Sequence, residues 1–215
     1  MCSHYESLKA PIQFKLDFGV DLPEGSKADV WPGYATSFIR RPLLADVGDE
    51  AVPQREALLG MFGLIPHWAK DTTIGRRTYN ARTETVHEKP AFRDAWRRAQ
   101  HCIVPAAAIY EPDWRSGKAK ATRIARADGK PMGIAGLWAK CSLPSGDVLS
   151  FTMMTMNADD HPVMRNFHKA EDEKRMVVIL PETDYDAWLK AKPKESMAFV
   201  KQYPAELLLA TTQEK

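Results

Sequence analysis

Four strand-like segments in close succession constrain this chain most. HCIVPAAAIYEPDW (101–114), ATRIARA (121–127), MGIAGLWAKC (132–141) and VLSFTMMTMNA (148–158) are apolar and rich in β-formers. The turn signals ADGKP and LPSGD join the later ones, because Gly, Pro and Asp supply the backbone angles that tight reversals need. An antiparallel meander is the expectation for this half of the chain.

The flanks add short pieces. In the first sixty residues Pro11, Pro23, Pro32, Pro42 and Pro53 break any long helix, and ALLGMFGLI (57–65) reads as a strand. Residues 83–98 are helix formers interrupted by Pro90, which predicts two short helices. The second turns Phe92, Ala95 and Trp96 inward and Arg93, Arg97 and Arg98 outward. RMVVIL (175–180) reads as a buried strand, and PETDYDAWLKA as a helix with Pro181 early and acidic groups in its first turn. No low-complexity tract or repeat divides the chain, so one α+β domain over 1–215 is expected, with strands dominating a mixed or antiparallel sheet and short helices at its periphery.

Composition limits the functional classes. The formal net charge is only +2, so any nucleic-acid surface is a local patch rather than a whole-protein field. Cys2, Cys102 and Cys141 are an odd number without metal-ligand spacing, which argues against a disulfide scaffold and against a zinc site. No metal and no cofactor are expected. The start MCSHYESLKAPIQF lacks an apolar run behind a basic segment, and nothing approaches the roughly 18 apolar residues of a membrane span. A cytoplasmic protein without membrane contact is the expectation.

Chemistry collects at a few polar positions. Loss of Met1 gives Cys2 a free amine beside its thiol, a pair that attacks an aldehyde twice: the amine forms an imine, and the thiol closes a five-membered thiazolidine. An α-amino group, with a pKa of about 7.7 to 8.0, is far more often neutral than a lysine at cellular pH. Asn80 lies between the basic Arg76–Arg77 loop and an expected helix start, where it either caps that helix or positions a reactant. Glu111 stands inside the apolar AAAIYEPDW, either as a solvated strand-edge group or as a buried carboxyl able to exchange protons. His168, in VMRNFHK, is the side-chain type suited to proton transfer near neutrality, or a structural histidine.

Read in order, Met-Cys at 1–2, NARTET at 80–85, the Tyr-Glu-Pro of AAAIYEPDW, TMNAD at 155–159 and MRNFH at 164–168 resemble the SOS response-associated peptidase family, abasic-site processing proteins that crosslink to damaged DNA. RMVVILPETDYDAWL and YPAELL look like that family's closing strand, helix and tail. The resemblance implies a barrel-like sheet, with Cys2 as nucleophile, Asn80 holding its amine or thiol, Glu111 as acid and base, and His168 as proton shuttle. It implies an abasic-site sensor that captures single-stranded DNA as a thiazolidine, with autopeptidase and weak lyase side activities. Arg82 is then a phosphate contact, Trp68 of GLIPHWAK a stacking or wedging ring, and Arg77, Arg165, Thr155 and His4 further DNA-binding candidates. The chain is expected to work as a monomer, on the nucleoid when bound to DNA.

Three departures from the family pattern stand out. Ser3 and His4 replace the usual Gly-Arg after the cysteine, and the Asn-x-Ala-Pro loop is not recognisable within GYATSFIRRP (33–42). KAEDEKR (169–175) is a charged insertion after His168. Two other classes stay open: a thiol peptidase or hydrolase in which Asn80 and backbone amides form an oxyanion hole, and a noncatalytic binding module.

Overall fold

A computed structural model describes residues 2–43 and 52–212 of the chain. Strands dominate it. In chain order they are β1 (His4–Glu6), β2 (Asp29–Val30), β3 (Ala35–Arg40), β4 (Glu56–Phe62), β5 (Asn80–Arg82), β6 (His101–Ala106) and β7 (Ala108–Asp113). Then follow β8 (Lys120–Arg126), β9 (Met132–Leu143), β10 (Gly146–Asn157), β11 (Arg175–Val177), β12 (Ile179–Leu180) and β13 (Leu208–Thr212). The α-helices are short: α1 (Pro11–Phe18), α2 (Arg93–Arg97) and α3 (Tyr185–Lys190).

β10, β4, β3, β6 and β9 pair in that order, and β9 pairs back onto β10, which closes a five-stranded barrel. Every pairing in the ring is antiparallel except β10 with β4, where Ser150 faces Met61 and Phe151 faces Phe62. A ring this small is filled by its own side chains. Closure also needs close backbone approach: a Cβ on Gly136 of β9 would sit 2.4 Å from the Thr152 carbonyl oxygen of β10. The second sheet, ordered β13-β8-β7-β1-β2, carries the N-terminal strand in its interior.

Because side chains alternate along a strand, neighbouring barrel residues serve different cores. Phe38, Val104, Ile134 and Met153 join Cys2, Tyr5, Ile109 and Ile124 of the second sheet in one cluster. Ile39, Ile103, Ala135 and Met154 pack with Phe14, Phe18, Trp96 and Trp188 of the helices in the other.

The strand-dominated α+β class and the barrel agree with expectation, while five local readings need correction. The 101–114 segment is two strands in different sheets, broken at Ala107, whose amide donates to the Glu6 carbonyl at 2.7 Å. The ADGKP link also crosses between sheets, from β8 to β9, so the meander reduces to the hairpins β7–β8 and β9–β10. RMVVIL divides at Val178, whose amide bonds to Met154 of β10 while its carbonyl accepts from Ala135 of β9. Residues ahead of α2 form successive turns rather than a first helix, and α1 appears where prolines had argued for loops. Pro11 stands in the first turn of α1, where a missing N–H leaves no bond unmade.

Candidate active site around Cys2

Cys2 leads into β1, which lies between β2 and β7. It is buried at 1% exposure, and its Sγ donates to the His4 carbonyl at 3.5 Å. Burial, and then the negative charge of Glu111, push the thiol well above its ordinary pKa. The resting group is therefore a thiol rather than a thiolate.

Glu111 lies on β7, beside β1, and is 3% exposed. His168 reaches it from the loop after the 3-10 turn Met164–Asn166, with Nε2 2.7 Å from Glu111 Oε2. Three features hold the imidazole there. The His168 amide donates to the Pro112 carbonyl at 2.8 Å, Phe167 bridges to Asp113, and His168 itself takes a left-handed φ of +63°, a conformation uncommon outside glycine that needs such anchoring. The turn is fastened by buried His161, whose Nδ1 accepts from the amides of Val163 (3.2 Å) and Met164 (3.0 Å) while Nε2 donates to the Tyr203 carbonyl at 2.8 Å.

Asn80 opens β5, which runs parallel to β10 with Asn80 opposite Met153; it is the start of a strand and caps no helix. Its Nδ2 donates to the Tyr79 carbonyl at 2.9 Å, and its Oδ1 is buried without a hydrogen-bond partner among the described residues. An unmet buried acceptor carries a desolvation cost, and it is the group that a donor such as an amine would satisfy. Tyr79 joins this neighbourhood: burial first, then the charges of Cys2 and Glu111, raise its phenol above the usual pKa. Sequence reasoning passed over both Tyr79 and His161, since nothing distinguishes them there from ordinary core residues.

The DNA-contact candidates are spread around this centre. Arg77, Trp68 and Arg165 are exposed. Arg82 is 45% exposed in its side chain and pairs with Glu173 of the charged insertion at 2.7 Å. Thr155 is 1% exposed, and its carbonyl and hydroxyl both face the guanidinium of Arg175, at 2.7 and 3.3 Å. That guanidinium, buried at 2% exposure, also makes two 2.9 Å bonds to Glu84 and one of 2.8 Å to Glu173. His4 pairs with Asp29 and stacks between Trp31 (centroids 4.1 Å apart) and Tyr110 (4.3 Å). The segment Asp29-Val30-Trp31-Pro32 beside it has the spacing of Asn-x-Ala-Pro, with an acid and an indole in place of the amide and methyl.

A family model described as SOS response associated peptidase (SRAP) matches residues 1–213. The chain belongs to this family. Among its relatives, the abasic site processing protein YoqW of Bacillus subtilis is 34% identical over 149 residues, 67% of this chain and 63% of that protein. YoaM of the same organism, also named an abasic site processing protein, is 37% identical over 132 residues, 61% of this chain and 55% of its own. The chain thus matches less than two thirds of the length of these curated relatives. A crystal structure of a Bordetella bronchiseptica protein superposes with a TM-score of 0.90 at 46% identity, covering 100% of both chains. A Bacteroides thetaiotaomicron structure shares the SRAP chain's fold at a TM-score of 0.77 and 20% identity, over 99% of this chain and 92% of that one.

Proposed function

We propose that this SRAP protein processes abasic sites in DNA by capturing the open-chain sugar aldehyde of a single-stranded lesion on Cys2, after removal of Met1, which lies outside the described residues. The observation that carries the reading is the Cys2 thiol buried beside the Glu111–His168 pair, where burial and then the Glu111 charge push its pKa up. A thiol so held is a poor first nucleophile, whereas the α-amine of a chain beginning at Cys2 is a good one.

The amine attacks the aldehyde carbon, and the hydroxyl of the resulting carbinolamine leaves as water with a proton from His168 or Glu111, while the nitrogen returns its own proton to that pair and the neutral imine remains. The thiol then adds across the imine: the S–C bond forms, the thiol proton passes through the same pair, and the nitrogen gains it. The ring is closed with loss of one water overall. Asn80 Oδ1 accepts an N–H of the terminal amine and aims its lone pair. Arg82 and its exposed neighbours hold the phosphates. Strand cleavage by β-elimination from the imine is the side reaction that ring closure suppresses.

The peptidase alternative is less well supported. It needs a thiolate, which burial and the charge of Glu111 disfavour at Cys2. Intact-mass measurement with abasic single-stranded DNA tests the reading. A protein that has lost Met1 and gained the oligonucleotide less one water is expected; a chain retaining Met1 while forming the adduct at full rate would overturn it.

A further inference from the structure

The ring column Trp31–His4–Tyr110 takes no part in the chemistry above, yet it is built like a binding surface. Both ring pairs are nearly parallel, with interplanar angles of 11°. The rings are tethered at their edges: His4 and the indole N–H (3.4 Å) both bond Asp29, and the Tyr110 hydroxyl donates to Glu6, itself paired with Arg123 at 2.8 Å. The Trp31 carbonyl also accepts from the Tyr34 amide at 2.9 Å. Despite these restraints Trp31 remains 42% exposed. An exposed indole that is already oriented loses little freedom on binding.

We propose that Trp31 seats an unpaired nucleobase next to the abasic sugar, which adds itself to the column as a further ring. Every base has a π face, so the seat tolerates sequence. The position follows from the chain itself. His4 opens β1 two residues after Cys2, and Trp31, one place beyond the Tyr5–Val30 pair, stands beside it at the same end of the sheet; two extended residues span roughly 7 Å, so a base seated there flanks the lesion. The inference rests on the proposed capture of abasic DNA and adds to it the means by which the flanking strand is held.

The test is a base-omission scan. The probe is a single-stranded oligonucleotide carrying a tetrahydrofuran lesion, which cannot open to an aldehyde, and noncovalent affinity is read by anisotropy as each flanking base is removed in turn. For the wild-type chain, omission at one adjoining position is expected to weaken binding about tenfold. Trp31→Ala should show a similar loss with the complete oligonucleotide and no further loss at that position, while Trp31→Phe, which keeps a ring, retains most of the affinity. An omission penalty that persists undiminished in Trp31→Ala, or no penalty at any adjoining position, overturns the seat. If the wild type still forms its adduct on true abasic DNA in that event, only the seat is lost; if it neither binds nor reacts, the capture reading falls with it.

Discussion

His168 Nε2 stands 2.7 Å from Glu111 Oε2, although the two residues come from different parts of the chain and His168 must take a left-handed backbone to arrive. The His168 amide also donates to the Pro112 carbonyl at 2.8 Å, which fastens this backbone beside β7.

That pairing separates the failures of the variants. Glu111→Gln and His168→Ala should slow adduct formation on abasic single-stranded DNA by about 100-fold to 10,000-fold, the usual range for a positioned acid or base. Cys2→Ala keeps the amine and should give no stable adduct, but an imine trappable by borohydride. A denaturing-gel time course with and without reductant reads all three. A heat-stable adduct from Cys2→Ala at the wild-type rate would end the thiazolidine mechanism.

Arg82 is held by Glu173, so a phosphate must displace a carboxylate to reach it. Exposed pairs of this kind are worth at most about 1 kcal/mol, and Glu173→Gln is therefore expected to tighten noncovalent DNA binding by up to about fivefold. Arg82→Ala should weaken it and lower the salt slope by about one. Anisotropy titrations across salt concentrations check both; unchanged affinity in Glu173→Gln would show that the carboxylate does not compete.

His101 lies in the core at 2% exposure, with Nε2 2.9 Å from Ser196 Oγ, and burial lowers its pKa from 6.5 to about 4. Because the unfolded chain takes up the proton first, this group costs no stability above pH 6.5 and progressively more between there and pH 4, reaching about 3 kcal/mol. His101→Gln should flatten that part of the stability curve in urea titrations at pH 7 and pH 4.5. An equally steep acid loss in the variant would place the sensitivity elsewhere.

Gly136→Ala forces a methyl against the Thr152 carbonyl, where 2.4 Å is available, and neither backbone can yield without opening the β9–β10 seam. A loss of about 1–3 kcal/mol is expected by thermal or chemical unfolding. A variant as stable as the wild type would mean that the seam has slack.

The candidate residues that the fold brings together stood out in the sequence because their chemistry is conspicuous: a thiol beside the terminus, a carboxylate in an apolar run, a histidine after a strand. Ring closure was not, since the parallel contact of β4 with β10 joins distant segments and leaves no local period. The break at Ala107 was hidden because β6 is buried on both faces and reads as continuous with the apolar start of β7. Prolines misled in the first sixty residues because position, not presence, decides what Pro11 does. Arg175 looked like the edge of a buried strand; only the fold reveals it as the guanidinium that ties Glu84, Glu173 and Thr155 together.

The interior place of β1 has a temporal meaning. β1 precedes β7 and the His168 loop along the chain, and β13 of the same sheet follows them both. Cys2 is therefore made well before the Glu111–His168 pair that lies beside it, and its pocket forms only once the chain through His168 is available to fold.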